Sequence, residues 1–278
     1  MRSLTVPAPA KLNLFLHVTG RRADGYHLLE TLFVALDFGD AITLTTRADG
    51  AIRRVGDDFG VPAQSDLTVR AASALQRASG CACGVDIAVV KRIPIGGGLG
   101  GGSSDAASAL LALNRLWALG MTRADLAAIG VALGADVPFF LGGEPALARG
   151  IGERLTPVSI PSFWVGVLVP AQPASTADIF AAAELTRDGE SAKMLVFSEG
   201  YGRNDLQSPA IARFPGIGAA LETLSVHSAA ARMTGSGSCV FAPFATEAQA
   251  REAISRRPNA MKGFVARTLA RHPLAAFA

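Results

Sequence analysis

Apolar and polar residues alternate near the start of the chain. Between residues 10 and 18, leucine and valine occupy every second position, and Lys11, Asn13, Phe15 and His17 lie between them. A period of two residues is typical of a β-strand, because successive side chains face opposite sides. We therefore expect a strand here with one apolar face and one partly polar face.

Comparable patterns predict the remaining elements. Strands are expected at 31–36, 41–46, 85–90, 163–169, in two pieces within 232–241, and at 263–269. Apolar residues at helical spacing predict helices at 67–79, 105–119, 123–133 and 246–256. Strands and helices mix without a regular βαβ rhythm, so the predicted class is α+β. Glycine-rich sequence near 142–152 predicts a boundary between two domains, residues 1–153 and 154–278.

Composition narrows the class of protein. Of the 278 residues, 50% are hydrophobic and 18% are charged, which favours a large packed core over disorder. The net charge of +3 is too small and too dispersed to indicate nucleic-acid binding. No apolar run reaches the roughly 18 residues of a spanning helix, and no signal-peptide pattern is visible. With three cysteines and no disulfide pattern, we expect a cytoplasmic protein that binds neither nucleic acid nor membrane.

A run of glycines connects a predicted strand directly to a predicted helix. Residues 94–105 read Pro-Ile-Gly-Gly-Gly-Leu-Gly-Gly-Gly-Ser-Ser-Asp. Glycines let several backbone N–H groups approach a phosphate, and a helix N-terminus adds its positive dipole end. Ser103 and Ser104 are suitable helix N-caps, and the Ser104 hydroxyl could also reach Mg²⁺ on a phosphate. The segment therefore predicts a polyphosphate site.

Three other interpretations of this segment are weaker. Gly96, Gly98 and Gly101 satisfy a dinucleotide-binding pattern, but residues 116–121 lack the acidic residue expected about 20 positions later. This argues against a nicotinamide-dependent oxidoreductase. A P-loop would need Lys-Ser/Thr after the last glycine, and the chain has Ser-Ser-Asp. A merely flexible loop is disfavoured, because the glycines lead straight from a strand into a helix.

The segment resembles the second signature of the GHMP kinases, and two further segments agree with it. Residues 134–140 resemble the family's catalytic-aspartate segment, and residues 233–241 resemble its third signature. Residues 9–16 and 22–27 resemble a narrower branch, whose members phosphorylate the 2-hydroxyl of a cytidine diphosphate alcohol in the non-mevalonate pathway to isoprenoid precursors. Four separated motifs in the right order make this a specific resemblance.

The resemblance runs from about residue 7 to about residue 250 and implies both a fold and a reaction. The implied fold has an N-terminal nucleotide domain like domain 2 of ribosomal protein S5 and a ferredoxin-like C-terminal domain. The implied reaction uses ATP and Mg²⁺, and the acceptor is a small-molecule cytidine diphosphate alcohol. The resemblance assigns ATP binding to Pro94, Ile95, Gly96, Gly97, Gly98, Leu99, Gly100, Gly101, Gly102, Ser103 and Ser104.

Lys11 and Asp136 are the expected catalytic pair. A turn aspartate usually caps a helix, but apolar residues surround Asp136, and the family's matching residue is the general base. A strand lysine is usually solvated, but Lys11 interrupts an apolar run and would need an anionic partner if buried. The family pairs the two residues. It also assigns substrate contacts to Asn13, Tyr26, His27, Thr176 and Phe180, of which Tyr26 and Phe180 would enclose the cytosine.

Two alternatives to this function stay open. The chain could be another small-molecule GHMP kinase, acting on homoserine, mevalonate or a sugar, but such acceptors give an aromatic clamp nothing to stack on. It could also be a catalytically silent nucleotide-binding regulator, but both Lys11 and Asp136 are present. One departure from the family is Ser65-Asp66-Leu67, where an Asn-Leu pair is expected near the adenine.

Overall fold

A computed structural model of the protein describes residues 2–189 and 202–277. The strands are β1 (Ser3–Arg21), β2 (His27–Arg47), β3 (Ile52–Val55), β4 (Gly84–Val90), β5 (Ala146–Gly150), β6 (Arg154–Pro157), β7 (Trp164–Val169), β8 (Arg232–Met233), β9 (Val240–Phe244) and β10 (Lys262–Leu269). The helices are α1 (Leu67–Ser79), α2 (Gly101–Leu116), α3 (Arg123–Val131), α4 (Val137–Gly142), α5 (Thr176–Phe180), α6 (Gln207–Arg213), α7 (Pro215–Ser225) and α8 (Glu247–Ser255).

The ten strands form one continuous sheet. Its main path runs β3-β4-β2-β10-β7-β9-β8, while β1 and β5 also pair with β2, and β6 pairs with β5. In the described ranges, only β3 and β4 are parallel neighbours. Strand β10 joins the two halves, because Thr268 and Leu269 pair with β2 while the rest of the strand pairs with β7. This mixed, mostly antiparallel sheet confirms the α+β prediction.

The two strands predicted at 31–36 and 41–46 are in fact one, β2. Gly39 and Asp40 are typical turn residues, but here the strand continues through them. A Cβ at Gly39 would lie 2.3 Å from the Ala8 carbonyl oxygen, so the missing side chain allows the two backbones to approach. The pairing register between β1 and β2 shifts between Pro9 and Lys11, opposite this part of β2, so the strand continues past Gly39 and Asp40.

Strand β1 has the predicted alternation but not a solvent-facing polar side. Lys11, Asn13 and His17 are all buried, like the leucines between them. The polar face of β1 therefore lies inside the molecule, where each of its polar groups must be accommodated by neighbours or by a ligand.

Helix α2 begins earlier than predicted, and Ser103 and Ser104 do not cap it. Gly100, with φ of 71°, is the N-cap residue, so both serines lie within the first turns of the helix. The left-handed conformation of Gly100 allows the chain to turn into the helix within the glycine run, so that Gly101 and Gly102 already belong to α2. The prediction of a serine N-cap was wrong, although the strand–glycine–helix order is confirmed.

The segment after β10 packs back onto the N-terminal half. Arg123, at the start of α3, donates hydrogen bonds to the carbonyls of Leu274 and Ala275. The His272 N–H donates to the Gly143 carbonyl just beyond α4, at 2.6 Å. Residues 271–277 therefore hold the far end of the short helix that follows Asp136. Within the described ranges, no helix is long and apolar enough to cross a membrane.

Candidate active site

Three separated segments meet near the middle of β1. The Lys11 N–H donates to the Leu99 carbonyl in the glycine run, at 2.9 Å. The Asn13 N–H donates to Thr234 Oγ1, also at 2.9 Å, so the turn before β9 is fixed to the same strand. The first strand, the second signature and the third signature thus form a single backbone framework.

Gly98 shows how tightly the second and third signatures pack. Its φ is 76°, and a Cβ there would lie 2.3 Å from the Thr234 carbonyl oxygen and 3.0 Å from that of Gly237. Only glycine accepts both the conformation and the approach. The Cys239 N–H donates to the Gly97 carbonyl at 3.1 Å and fastens the two segments together.

Two cavities meet at this framework. The smaller, of about 390 Å³, is lined by every predicted ATP-binding residue from Pro94 to Ser103, together with Asp66 and Lys91. The larger, of about 780 Å³, is lined by both predicted catalytic residues and all five predicted substrate residues. Gly98 and Gly100 line both cavities. The glycine run therefore separates a nucleotide-sized pocket from an acceptor-sized one.

Lys11 and Asp136 face each other in the larger cavity. Lys11 Nζ lies 3.4 Å from Asp136 Oδ2, and the side chains are 4% and 30% exposed, respectively. Asp136 occupies the N-cap position of α4, yet its side chain makes no capping hydrogen bond. The carboxylate is directed to Lys11 instead, so the interpretation of Asp136 as a simple helix cap does not hold.

Asn13 positions Lys11 more directly than sequence indicated. Asn13 Oδ1 accepts a hydrogen bond from Lys11 Nζ at 2.5 Å, and its Nδ2 donates to Thr31 Oγ1 at 2.8 Å. Lys11 Nζ also lies 4.9 Å from the centre of the Phe33 ring. Asn13 lines the larger cavity, so its predicted substrate contact is compatible with this second role.

An aromatic cluster lies at the other end of the larger cavity. Tyr26 is 61% exposed, and the His27 and Phe180 rings stack with centroids 5.0 Å apart. Burial, followed by the charges of Arg187 and Arg21, lowers the pKa of His27 below its ordinary value. Sequence predicted that Phe180 closes on a base opposite Tyr26. In the structure the Phe180 ring lies on His27, the neighbour of Tyr26, and the enclosure of the base stays a prediction.

Thr176 reaches this cavity from the C-terminal half. Its Oγ1 lies 2.6 Å from Ser236 Oγ, which belongs to the third signature. Ser236 also lines the larger cavity. Sequence analysis recognised the third signature but assigned it no ligand contacts. Only the fold shows that its hydroxyl lies beside Thr176.

A buried charged cluster supports the glycine run and was missed by sequence analysis. Lys91 Nζ contacts Asp40 and donates to Asp105 Oδ2 at 2.7 Å. Asp40 Oδ1 accepts the N–H of Ile93 at 2.8 Å, just before the glycine run begins. Burial raises the pKa of Asp105 above its usual range, although Lys91 opposes this. Asp40 is 65 positions before Asp105, and only the sheet brings them together.

Ser104 is the residue that sequence analysis predicted as a Mg²⁺ ligand. Its Oγ is buried and has no hydrogen-bond partner within the described residues. These residues also contain no group of three or more His, Cys, Asp or Glu side chains suited to a metal. Mg²⁺ often takes only one or two protein ligands and obtains the rest from phosphates and water. Ser104 lies in the first turns of α2 and, unlike Pro94 to Ser103, does not line the smaller cavity, so its role as a Mg²⁺ ligand stays a prediction.

Comparisons with known proteins agree with this arrangement. The family model described as "GHMP kinases N terminal domain" matches residues 66–144, and "GHMP kinases C terminal" matches residues 180–263. A solved homoserine kinase from Cytophaga hutchinsonii shares the fold, with a TM-score of 0.69 at 18% identity over 98% of this chain and 96% of that one. The class defined by this fold and this site is therefore the GHMP kinases.

More similar relatives specify the branch. The 4-diphosphocytidyl-2-C-methyl-D-erythritol kinase of Cupriavidus necator is 54% identical over 98% of this chain and 95% of its own length. That of Aromatoleum aromaticum is 53% identical over 96% and 94%, respectively. A solved 4-(cytidine 5'-diphospho)-2C-methyl-D-erythritol kinase is 34% identical, with a TM-score of 0.81, over 95% of this chain and 99% of that one. The chain belongs to the 4-diphosphocytidyl-2-C-methyl-D-erythritol kinase family.

Proposed function

We propose that the chain transfers the γ-phosphate of ATP to the 2-hydroxyl of 4-diphosphocytidyl-2-C-methyl-D-erythritol, a step of the non-mevalonate pathway to isoprenoid precursors. The observation that carries the proposal is the Lys11–Asp136 pair, beside the two glycines at which the nucleotide-sized and acceptor-sized cavities meet. The pair thus lies on the acceptor side of the glycines that the two cavities share.

The smaller cavity is the proposed ATP site. The glycine run offers backbone N–H groups to the phosphates, and α2 begins directly behind it at Gly101. Lys91 and Asp66 line the same cavity and are candidates for contacts to the rest of the nucleotide. Mg²⁺, with Ser104 as the proposed protein ligand, would neutralise phosphate charge during transfer.

Asp136 and Lys11 are the proposed catalytic pair. Asp136 would accept the proton of the acceptor hydroxyl as that oxygen attacks the γ-phosphorus. Lys11 orients the carboxylate and balances the negative charge that gathers on the transferring group. Asn13 fixes the ammonium through its amide oxygen at 2.5 Å. Phosphoryl transfer depends mostly on such positioning and electrostatics.

The aromatic end of the larger cavity is the proposed cytosine site. Tyr26 and Phe180 offer ring faces, His27 offers a hydrogen bond, and Thr176 and Asn13 offer polar contacts along the cavity. Stacking on aromatic rings is worth about 1–3 kcal/mol per base in nucleic-acid systems. Homoserine, mevalonate and simple sugars have no base that could stack on these rings, which supports the cytidine substrate over those alternatives.

The test is ADP release from ATP, Mg²⁺ and 4-diphosphocytidyl-2-C-methyl-D-erythritol, compared with the same mixture lacking the cytidine substrate. We expect release only in the complete mixture. Release with homoserine, mevalonate or a sugar instead would favour another GHMP activity. ATP binding without release on any acceptor would favour the silent regulator. We place the reaction in the cytoplasm, since all three cysteines are free thiols.

A further inference from the structure

Arg187 connects the two sides of the proposed cytosine site. It follows α5 in the C-terminal half, and its Nε donates a hydrogen bond to Nε2 of His27, at the start of β2, at 3.2 Å. The other guanidinium nitrogens donate to backbone carbonyls on the Phe180 side of the cavity. NH1 donates to Leu185, and NH2 donates to Ala182 at 2.7 Å and to Phe180 at 3.4 Å.

The contact with Arg187 determines which nitrogen of His27 carries the proton. Guanidinium nitrogens are donors only, so Nε2 must accept and cannot itself be protonated. A neutral imidazole that accepts at Nε2 carries its hydrogen on Nδ1. The nitrogen left for a ligand in the cavity is then Nδ1, as a donor. The arginine charge also opposes a second proton on the ring, in line with the lowered pKa of His27.

We propose that Arg187 is a positioning and specificity residue, which fixes His27 as an Nδ1–H donor for an acceptor atom on the pyrimidine edge and holds the Phe180 segment against it. This inference rests on the proposed function, because the cytosine site is part of it. Cytosine presents two adjacent acceptors, O2 and N3, whereas N3 of uracil carries a hydrogen. O2 accepts in both bases, so an Nδ1–H donor favours cytosine where it meets N3, and loss of Arg187 would relax that preference.

The guanidinium geometry explains why a lysine would not serve. Arginine presents donors in a rigid planar fork, so one residue can contact an imidazole and several carbonyls at once. A lysine ammonium has a single nitrogen and cannot reach both sides of the cavity in this way. Arg187→Lys should therefore behave like Arg187→Gln in cytidine binding, although it keeps the charge.

The main experiment measures binding of cytidine diphosphate and uridine diphosphate to the full chain by calorimetry. We expect Arg187→Gln to weaken cytidine diphosphate binding about tenfold, the value of one hydrogen bond, and to weaken uridine diphosphate binding less. ATP affinity should not change. Arg213→Gln is the matched control, because Arg213 pairs with Glu184 in the same part of the chain, at 3.5 Å. It should bind both nucleotides like the unmodified protein.

A double-mutant cycle separates this role from simple support of the Phe180 segment. The shorter side chain of His27→Asn can place its amide N–H where Nδ1 lies, but it has no atom at the position of Nε2, which Arg187 contacts. In the His27→Asn background, Arg187→Gln should therefore change cytidine diphosphate binding less than about twofold. The same tenfold loss in both backgrounds would mean that Arg187 only supports the backbone, and would overturn the proposal.

The tautomer can be observed directly. The chain has four histidines, so ¹⁵N-histidine labelling gives few ring signals, and His27→Asn identifies the relevant pair. We expect the ¹⁵N chemical shifts of the His27 ring to be those of an imidazole protonated at Nδ1, and those of a mixture of tautomers in Arg187→Gln. Nε2-protonated or doubly protonated His27 at neutral pH would overturn the proposal. Turnover of the unmodified chain is measured separately, so Arg187-dependent cytidine diphosphate binding without turnover would refute the reaction and not this inference.

Discussion

The Lys11–Asp136 pair gives the most demanding test of the proposed mechanism. At a separation of 3.4 Å, the Coulomb energy of two unit charges is about 5 kcal/mol at an effective dielectric constant of 20, and about 1 kcal/mol in bulk water. Lys11 is buried and Asp136 is partly exposed, so the interaction lies between these limits. We expect Lys11→Met to lower kcat by about 10- to 10³-fold, the change in rate to which an energy between these limits corresponds.

The single variants should act as one unit. Asp136→Asn should remove most turnover and leave ATP binding nearly intact, because the carboxylate lines the acceptor cavity and not the smaller nucleotide cavity. If Lys11 works through Asp136, the double variant should lose no more turnover than the more damaged single variant. Lys262→Met, a change at an exposed lysine, is the matched control and should retain full activity.

The assay is steady-state ADP release with each substrate varied, accompanied by ATP affinity from calorimetry and thermal unfolding of each variant. Multiplicative losses in the double variant would refute the idea that Lys11 acts by orienting Asp136. Equal losses in ATP binding and in turnover for Asp136→Asn would refute its role as the base.

Three further predictions follow from the packing and the titratable groups. Gly98→Ala should abolish ATP binding and lower the thermal midpoint of unfolding, because the added Cβ would lie 2.3 Å from the Thr234 carbonyl oxygen. Gly102→Ala should change both quantities little, because its Cβ would lie 3.2 Å from a methyl group of the flexible Leu67 side chain. Equal effects of the two variants would contradict this packing. Burial lowers the pKa of His272 to about 4, so between pH 6.5 and pH 4 this histidine takes up a proton in the unfolded chain and not in the folded one. The free energy of unfolding should therefore fall by up to about 3 kcal/mol as the pH is lowered over this range. Urea midpoints should show less of this loss in His272→Gln than in the exposed control His227→Gln. Burial raises the pKa of Cys239 to about 12, so mass spectrometry after brief alkylation should find Cys81 and Cys83 modified before Cys239.

Local sequence patterns were sufficient for most elements that have a strong period. The alternation through Lys11 and Asn13 predicted β1, and α1 was predicted with its observed bounds of Leu67 and Ser79. The signatures also identified residues that the fold places around two adjoining cavities. These predictions succeed because both patterns, a regular period and a glycine run between a strand and a helix, reflect the local conformation of the backbone.

Features that depend on distant partners could not be predicted. Gly39 and Asp40 look like a turn, and only the approach of Ala8 shows why the strand continues. Asp40 also supports the glycine run through Lys91, which no local pattern indicates. Arg187 follows a short helix in an unpatterned segment. Its contact with His27 spans 160 positions and becomes visible only when the two halves are brought together.

The position of β10 has a consequence for how the chain reaches its folded state. This strand is the last of the ten in chain order, yet it lies in the middle of the sheet, with Leu36 of β2 on one side and Val165 of β7 on the other. Until it is inserted, both neighbours present open backbone edges that can pair with another chain. Pairing over more than two hundred positions is also slow. Aggregation during refolding should therefore depend on how soon residues 262–269 reach this gap, and a peptide of that sequence should suppress it.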